Sequence, residues 1–472
     1  MDRYIVVTLG PIFDTINAAT SPAALWVGSY LFSYLNKTIC RLLTRDGVAQ
    51  TDIITPYYAA DNPFASHEGI GLYHDRIVFR AGDFSISQFP AVREEAIYHV
   101  AQTFTLDYDF LRSYLLVRAA EIQAENPILD TGSLLDCLEL AKPILTDLPS
   151  NPLHSYLMRR NDVIRNLPLV QKIPNWQLRD GDHVKSIRDI CGATWGTGMK
   201  KHRHFALVRA DGDHMGRLLS RSGNEGVRDF SRRCLSYCAG IADLVQSFGG
   251  VAIYAGGDDL LAIMPCENQK GETVFDFVKE ANNLFARCFA RETADPEATL
   301  SFGITICHHK TPLYTALEDS QRMLFRLAKS KRGCTAIHLL RHSEQAECLL
   351  IPHSAMDLLL PYFYTAARHW EQLSIVRGRL TLFRSMFLKA GRDFQAISNL
   401  FHNIFEGHIF DGNTIIHELS PRFYHQMLTE TDIESLILDN DEDLELKEAG
   451  IDTYCCILQL IGLFAERGGA EE

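Results

Sequence analysis

The segment Val251-Ala252-Ile253-Tyr254-Ala255-Gly256-Gly257-Asp258-Asp259-Leu260-Leu261-Ala262-Ile263-Met264 constrains the fold of this chain more than any other. An apolar run enters two glycines, meets two adjacent carboxylates and leaves as a second apolar run. The pattern predicts a buried hairpin with its tip at Gly256–Asp259. Two neighbouring anionic groups at the mouth of buried strands are costly unless cations meet them. Magnesium or manganese, with nucleotide phosphates behind it, suits such a site. Gly-Gly-Asp-Asp is also ordinary turn chemistry, because glycine accepts positive φ and aspartate caps turns. Context separates the two readings: the apolar flanks, and a second acidic cluster upstream.

That cluster lies in Phe205-Ala206-Leu207-Val208-Arg209-Ala210-Asp211-Gly212-Asp213-His214-Met215-Gly216-Arg217-Leu218-Leu219. It reads as a strand over 205–210, a short acidic turn and a helix from about His214. The turn offers carboxylates and the Gly212 carbonyl to a hard divalent ion, and free N–H groups to phosphate. The plainer alternative makes Asp213 a helix cap and Asp211 a solvated carboxylate. Between 205 and 340 the expected order is strand, helix (214–248), two strands (251–255, 260–264), helix (273–291), strand (299–307), helix (313–330) and strand (334–340). A β-α-β-β-α-β order is the ferredoxin-like plan, shared by polymerase palms. In such a sheet the first strand neighbours the hairpin, so Asp211 approaches Asp258 and Asp259, as a two-metal site requires.

The rest of the chain gives weaker signals. At 472 residues it exceeds one ordinary domain. Tyr4–Leu9, a helix from Ile12, a helix opened by Ser21-Pro22, and strands at 52–56 and 76–79 predict a compact α+β domain ending near residue 90. Residues 91–165 read as mostly helical and 168–201 as a linker. The linker includes Gly192-Ala193-Thr194-Trp195-Gly196-Thr197-Gly198, which lacks the Lys-[Ser/Thr] ending of a phosphate loop. From about Ile351 helical periodicity dominates, and Glu466–Glu472 are expected to fray. No apolar stretch is long enough to span a membrane and no signal peptide is evident. The 12 cysteines form no Cys-x-x-Cys pair, which fits buried thiols in a reducing cytoplasm. A net charge of −13 argues against a general nucleic-acid coat. Basic runs at 200–204 and 329–333 remain local exceptions. His74-Asp75 reads as an isolated pair in a turn.

Phe205–Leu219, Val251–Pro265 and Leu300–Leu313 together resemble consecutive motifs of the large polymerase-like subunits of type III CRISPR effector complexes, nearest to the Cmr type. Ala328-Lys329 followed by Arg332-Gly333 is similar to the end of that family's palm. Gly10-Pro11-Ile12 and Leu25-Trp26-Val27-Gly28-Ser29-Tyr30 are similar to its first palm. The resemblance implies an α+β architecture of two ferredoxin-like palm domains with a helical insert and a C-terminal helical bundle. The expected boundaries are 1–90 (first palm-like domain, inactive), 91–200 (helical insert and linker), 201–350 (catalytic palm) and 351–472 (C-terminal helical domain). It implies synthesis of an adenylate second messenger from ATP, a cyclic oligoadenylate, when target RNA binds.

By the same resemblance Asp211, Asp258 and Asp259 are catalytic and metal-binding, with the Gly212 carbonyl as a further ligand for two Mg2+ or Mn2+ ions. Asp213, Gly256 and Gly257 belong to the nucleotide-binding turns, and Ser301 and Gly303 to the nucleotide-contacting strand. Lys329 reaches the triphosphate as a point charge. His308 and His309 serve equally well as packing or as substrate contacts. The implied partners are other subunits of a type III ribonucleoprotein, with guide and target RNA met mainly through the complex, and no membrane. The histidine-aspartate nuclease domain and cysteine-rich zinc insert common in the family are not recognisable in this sequence. Three rival readings accompany this one: AMP transfer to S-adenosylmethionine, a stand-alone cyclic-dinucleotide cyclase, and a non-catalytic scaffold of an RNA-guided complex.

Overall fold

The computed structural model describes residues 2–61, 64, 67–125, 134, 173, 177–180, 183–192, 203–220, 224–289, 299–340, 346–407, 413–438, 446–447 and 450–465. The first unit is a four-stranded antiparallel sheet of β1 (Asp2–Gly10), β2 (Ile53–Thr55), β3 (Arg76–Arg80) and β4 (Leu116–Ala124), in the order β2-β3-β1-β4. Tyr4, Ile5, Val6 and Val7 are fully buried, so β1 is a central strand covered on both faces. The helix Pro22–Arg45 packs one face. Its N-terminus is set by Ser21, whose side chain accepts the Ala24 N–H, with Pro22 pre-set for the first turn.

This sheet extends beyond residue 90. Helices Phe89–Phe104 and Tyr108–Tyr114 fit the helical expectation for 91–165, but β4 departs from it and pairs with β1 from Asp2↔Ala124 to Gly10↔Leu116, and 126–133 and 135–165 lie outside the described residues. The first domain therefore includes residues 91–124. Leu116-Val117-Arg118-Ala119-Ala120-Glu121-Ile122-Gln123-Ala124 is composed largely of good helix formers, and a non-local partner overrides that preference. Most of the expected insert and linker, with residues 193–198 and the basic run 200–202, lies outside the described residues. A two-residue hairpin, β5 (Arg179–Asp180) and β6 (His183–Val184), falls within it.

The second unit is built on β7 (His204–Gly212), β8 (Val251–Gly256), β9 (Asp259–Pro265) and β10 (Leu300–His308), ordered β10-β7-β9-β8. This is the ferredoxin-like order expected from the sequence, with each boundary within one or two residues. The helix anticipated over 214–248 divides into Met215–Ser220 and Asn224–Ser247. Helix Val274–Cys288 connects β9 to β10. After β10 comes a helix, Leu313–Arg322, which continues as a π-helical turn over Met323–Ala328 and a last helical turn at Lys329–Lys331.

The sheet then grows by four strands: β11 (Cys334–Leu340), parallel to β10, and the antiparallel β12 (Ala346–Pro352), β13 (Glu434–Leu438) and β14 (Leu446–Lys447). The C-terminal region is thus helical as expected, with β13 and β14 added from between its helices. Helices Met356–Arg368, Trp370–Leu382, Phe394–Ile404, Ser420–Glu430 and Gly450–Ala465 share one apolar core with the sheet. Among the described residues no helix is long and apolar enough to cross a membrane. The described cysteines are free thiols, mostly buried.

Candidate active site

The strand order does for the acids what sequence distance hides. β7 lies between β9 and β10, with Ala210 opposite Leu260 and Ser301 opposite Asp211. Gly256 pairs with Asp259 across the hairpin turn. Asp211, Asp258 and Asp259 each offer a carboxylate oxygen, and these oxygens all lie within 4.8 Å of one another. Gly212 makes the approach possible: a Cβ there would stand 2.7 Å from Asp258 Oδ2 and 2.6 Å from Met215 Cγ.

Lys329 closes the cluster from the other side. Its Nζ lies 2.6 Å from Asp211 Oδ2 and donates to Asp211 O (3.0 Å), Gly212 O (2.7 Å) and Asp213 Oδ1 (3.0 Å). The helix carrying this lysine can come so near because of Gly303. A Cβ at that position would sit 2.4 Å from Leu324 N and 2.6 Å from Ser320 O, both backbone atoms that cannot swing aside. Asp213 is the anchor beneath. Its carboxylate accepts from Ser301 Oγ (2.9 and 3.0 Å), Thr299 Oγ1 (2.6 Å), Gly333 N (3.0 Å) and Lys329. Asp213 is 1% exposed and Ser301 0%, so their polar atoms face the protein interior.

The electrostatics describe a cluster short of positive charge. Burial, then the Asp211 carboxylate, pushes Asp258 up to about 7, with Lys329 opposing the rise. Burial and the two neighbouring carboxylates push Asp259 well above the usual range. An all-oxygen set of carboxylates and a backbone carbonyl, strained toward protonation, suits a hard divalent cation. Asp211, Asp258, Asp259 and the Gly212 carbonyl would hold it.

Two cavities meet at Asp259 and Tyr254. The larger, about 530 Å³, runs past Gly256, Gly257 and Asp258 to Phe230, Leu235 and Pro56. The smaller, about 260 Å³, lies between the two palms, lined by Leu9, Gly10, Ser29, Asp75, Arg209 and Leu261 among others. Two buried polar atoms on its lining residues have no partner, Ser29 Oγ and Arg209 Nη2. Arg209 donates from Nε to Ser320 Oγ (3.1 Å), and burial lowers its guanidinium to about 10 against the pull of Asp259.

The residues singled out in the sequence therefore divide. Asp211, Asp258 and Asp259 converge; Gly256 and Gly257 border the larger cavity; Lys329 lies within the acid cluster. Asp213, Ser301 and Gly303 form the scaffold under Lys329. His308 and His309 stand at the opposite end of the sheet, with His308 paired to His204 in register. His74 is in the first domain, its ring accepting the Arg76 N–H and bonded to Thr55 Oγ1 (2.9 Å). Arg209 and Ser29 were missed as site residues. Period-two alternation does place Arg209 on the face of Asp211, and a cation inside an otherwise apolar strand was the available signal. Ser29 carried no such signal, because one hydroxyl in an apolar helix is unremarkable.

Residues 204–337 match the family described as Cas10/Cmr2, second palm domain, and residues 4–99 match CRISPR-associated protein Cmr2, N-terminal. These two segments match Cas10/Cmr2 domains. It is 29% identical over 203 residues to the CRISPR system Cmr subunit Cmr2 of Pyrococcus furiosus, covering 37% of this chain and 23% of that protein. The Saccharolobus solfataricus Cmr2 subunit is 34% identical over 100 residues, 17% of this chain and 9% of that one. The matches therefore span a small part of these relatives' length. Among solved structures, the Csm1–Csm4 cassette in complex with cA4 superposes with a TM-score of 0.59 at 13% identity, covering 98% of this chain and 70% of that one. The apo type III-B Cmr-beta structure gives 0.54 at 12% identity, with 97% and 81% covered. At such identities the likeness is one of fold.

Proposed function

We propose that this protein is the nucleotidyl-transferring large subunit of a type III CRISPR effector complex, which makes a cyclic oligoadenylate from ATP when target RNA binds. The observation that carries the proposal is the convergence of three carboxylates backed by Lys329, with Asp259 bordering two cavities and Asp258 the larger of them. A reaction joining two nucleotides needs a donor site and an acceptor site on either side of one charged centre. Structures of the similarly folded Csm1–Csm4 cassette in complex with one ATP and with pppApA support the same chemistry.

Asp211, Asp258 and Asp259, with the Gly212 carbonyl, would hold Mg2+ or Mn2+. Bound there, the ions supply charge neutralisation on the phosphates and a lower pKa for the attacking hydroxyl. Gly256 and Gly257 leave the larger cavity open to the donor nucleotide, whose triphosphate meets Lys329. Arg209 and Ser29 belong to the wall of the smaller cavity and carry buried donors without a partner, which an acceptor nucleoside seated there would satisfy. Asp213 and Ser301 act indirectly, by fixing Lys329. The acceptor's ribose hydroxyl attacks the α-phosphorus of the donor, the bond to the bridging oxygen breaks, and pyrophosphate leaves.

The deciding experiment is mass spectrometry of products formed by the assembled complex with target RNA and ATP, with and without S-adenosylmethionine. Cyclic oligoadenylates in both reactions support the proposal. An adenylated S-adenosylmethionine product replaces the acceptor assignment, and a product made from GTP by the isolated chain favours the stand-alone cyclase. No nucleotide product under any of these conditions leaves the scaffold reading.

A further inference from the structure

We propose that Lys329 is an internal counter-ion: its ammonium occupies oxygens that a divalent ion needs, and metal uptake drives it out of that cage. The inference rests on the metal-site reading given above. Four oxygens surround Nζ at 2.6–3.0 Å: the Asp211 carboxylate, the Asp211 and Gly212 carbonyls, and the Asp213 carboxylate. An ammonium has three N–H donors, so this cage offers more acceptors than a lysine can satisfy. Carboxylates and backbone carbonyls in one small cage are instead the ligand set of a hard cation. Two of the four atoms, Asp211 Oδ2 and Gly212 O, belong to groups assigned to metal binding.

The arrangement differs from an ordinary surface ion pair. The lysine side chain is 17% exposed, and most of the cage is fixed by the fold. Asp213 is held by Ser301, Thr299 and the Gly333 N–H, while Asp211 and Gly212 belong to β7. The flexible member is the lysine, whose four-carbon stem leaves a short terminal helical turn. A divalent ion that takes Asp211 Oδ2 and Gly212 O must displace it. Once released, the ammonium is free to pair with the phosphates of a bound nucleotide, so metal binding and triphosphate capture become linked in one residue.

The test uses the full chain without nucleotide. Lysine acylation read by mass spectrometry in EDTA and in Mn2+ reports the accessibility of Lys329 directly. Its labelling is expected to rise several-fold on Mn2+ addition while the other lysines stay constant. In parallel, Mn2+ affinity is measured by electron paramagnetic resonance for the unaltered chain, Lys329→Met and Arg332→Met. Arg332 is the control: it removes a positive charge three residues away, outside the cage, beside His214. Removing the competitor is expected to tighten Mn2+ binding about tenfold in Lys329→Met, the scale of one charged hydrogen bond. Arg332→Met should stay within about twofold of the unaltered chain, as expected of a surface charge. Equal gains in both variants, or Lys329 labelling unmoved by saturating Mn2+, would overturn the counter-ion. Absence of Mn2+ binding in every form would instead remove the metal site itself, and with it the function proposed above.

Discussion

The two palms share a strand order and differ at one strand end. In the first, β1 runs into Gly10-Pro11, and the connection between its second and third strands is the long stretch 56–75. In the second, β7 runs into Asp211-Gly212-Asp213, and the matching connection is the tight turn between β8 and β9. A short turn holds two carboxylates beside a third. A long one cannot, and the first palm's connection instead crosses to the second, where Gly71 bridges to Tyr254 and accepts the Ala255 N–H. One copy of the plan supplies the charged centre and the other supplies a wall.

The strongest way to break this comparison is to erase the acids that distinguish the second palm. Asp258→Ala/Asp259→Ala should lower product formation by roughly 10³-fold or more, with the fold intact by circular dichroism. Retained product would show that the chemistry lies elsewhere. Gly303→Ala tests the scaffold beneath: the added methyl meets two backbone atoms and should cost about 1–3 kcal/mol in urea unfolding. Asp213→Asn keeps the shape but removes the charge under Lys329. It is expected to cost about 1–2 kcal/mol and to weaken ATP binding, read by isothermal titration.

The first palm has its own titrating group, and it sharpens the contrast. Burial, aided by the Arg76 charge, lowers His74 to about 4. The unfolded chain then binds more protons between that value and the ordinary histidine pKa of about 6.5. Stability present above about pH 6.5 is therefore lost as pH falls toward 4, by about 1–2 kcal/mol once solvent screening is allowed for. His74→Gln should flatten that part of the pH–stability curve measured by thermal unfolding. The smallest effect is expected of Ser29→Ala, which removes one unpaired hydroxyl from the wall of the smaller cavity. It should raise the ATP concentration at half-maximal rate by about two- to fivefold with little change in stability.

The second palm was legible because its elements are local and strongly patterned. The apolar runs around Gly256–Asp259 and the amphipathic helix Val274–Cys288 declare themselves within a few turns of chain. What failed to declare itself depends on distant pairing. β4 is rich in alanine, glutamate and glutamine, and is a strand because β1 needs an edge partner. β13 and β14 lie among helices and are recruited by β12. The acid triplet followed from the strand order, whereas Arg209 and Ser29 became site residues when two domains closed a cavity between them. Asp213 and Ser301 had the right composition for a ligand contact and turned out to face each other, a distinction that burial draws and spacing does not.

The Gly71–Tyr254 bridge has a mechanical side. β8 ends the eight-stranded sheet, and a bare strand edge invites pairing with any extended chain. At the strand's acid end this edge is occupied by a single residue of the other palm, directly beside Gly256. Prying the palms apart would therefore do two things in the same movement. It would widen the cavity between the palms, and it would strip the hairpin bearing Asp258 and Asp259 of its lateral support. The segment that carries the latch also lines both cavities, through Tyr73 and Asp75 in the smaller and Leu72, His74 and Asp75 in the larger, so its position and their shape are set together.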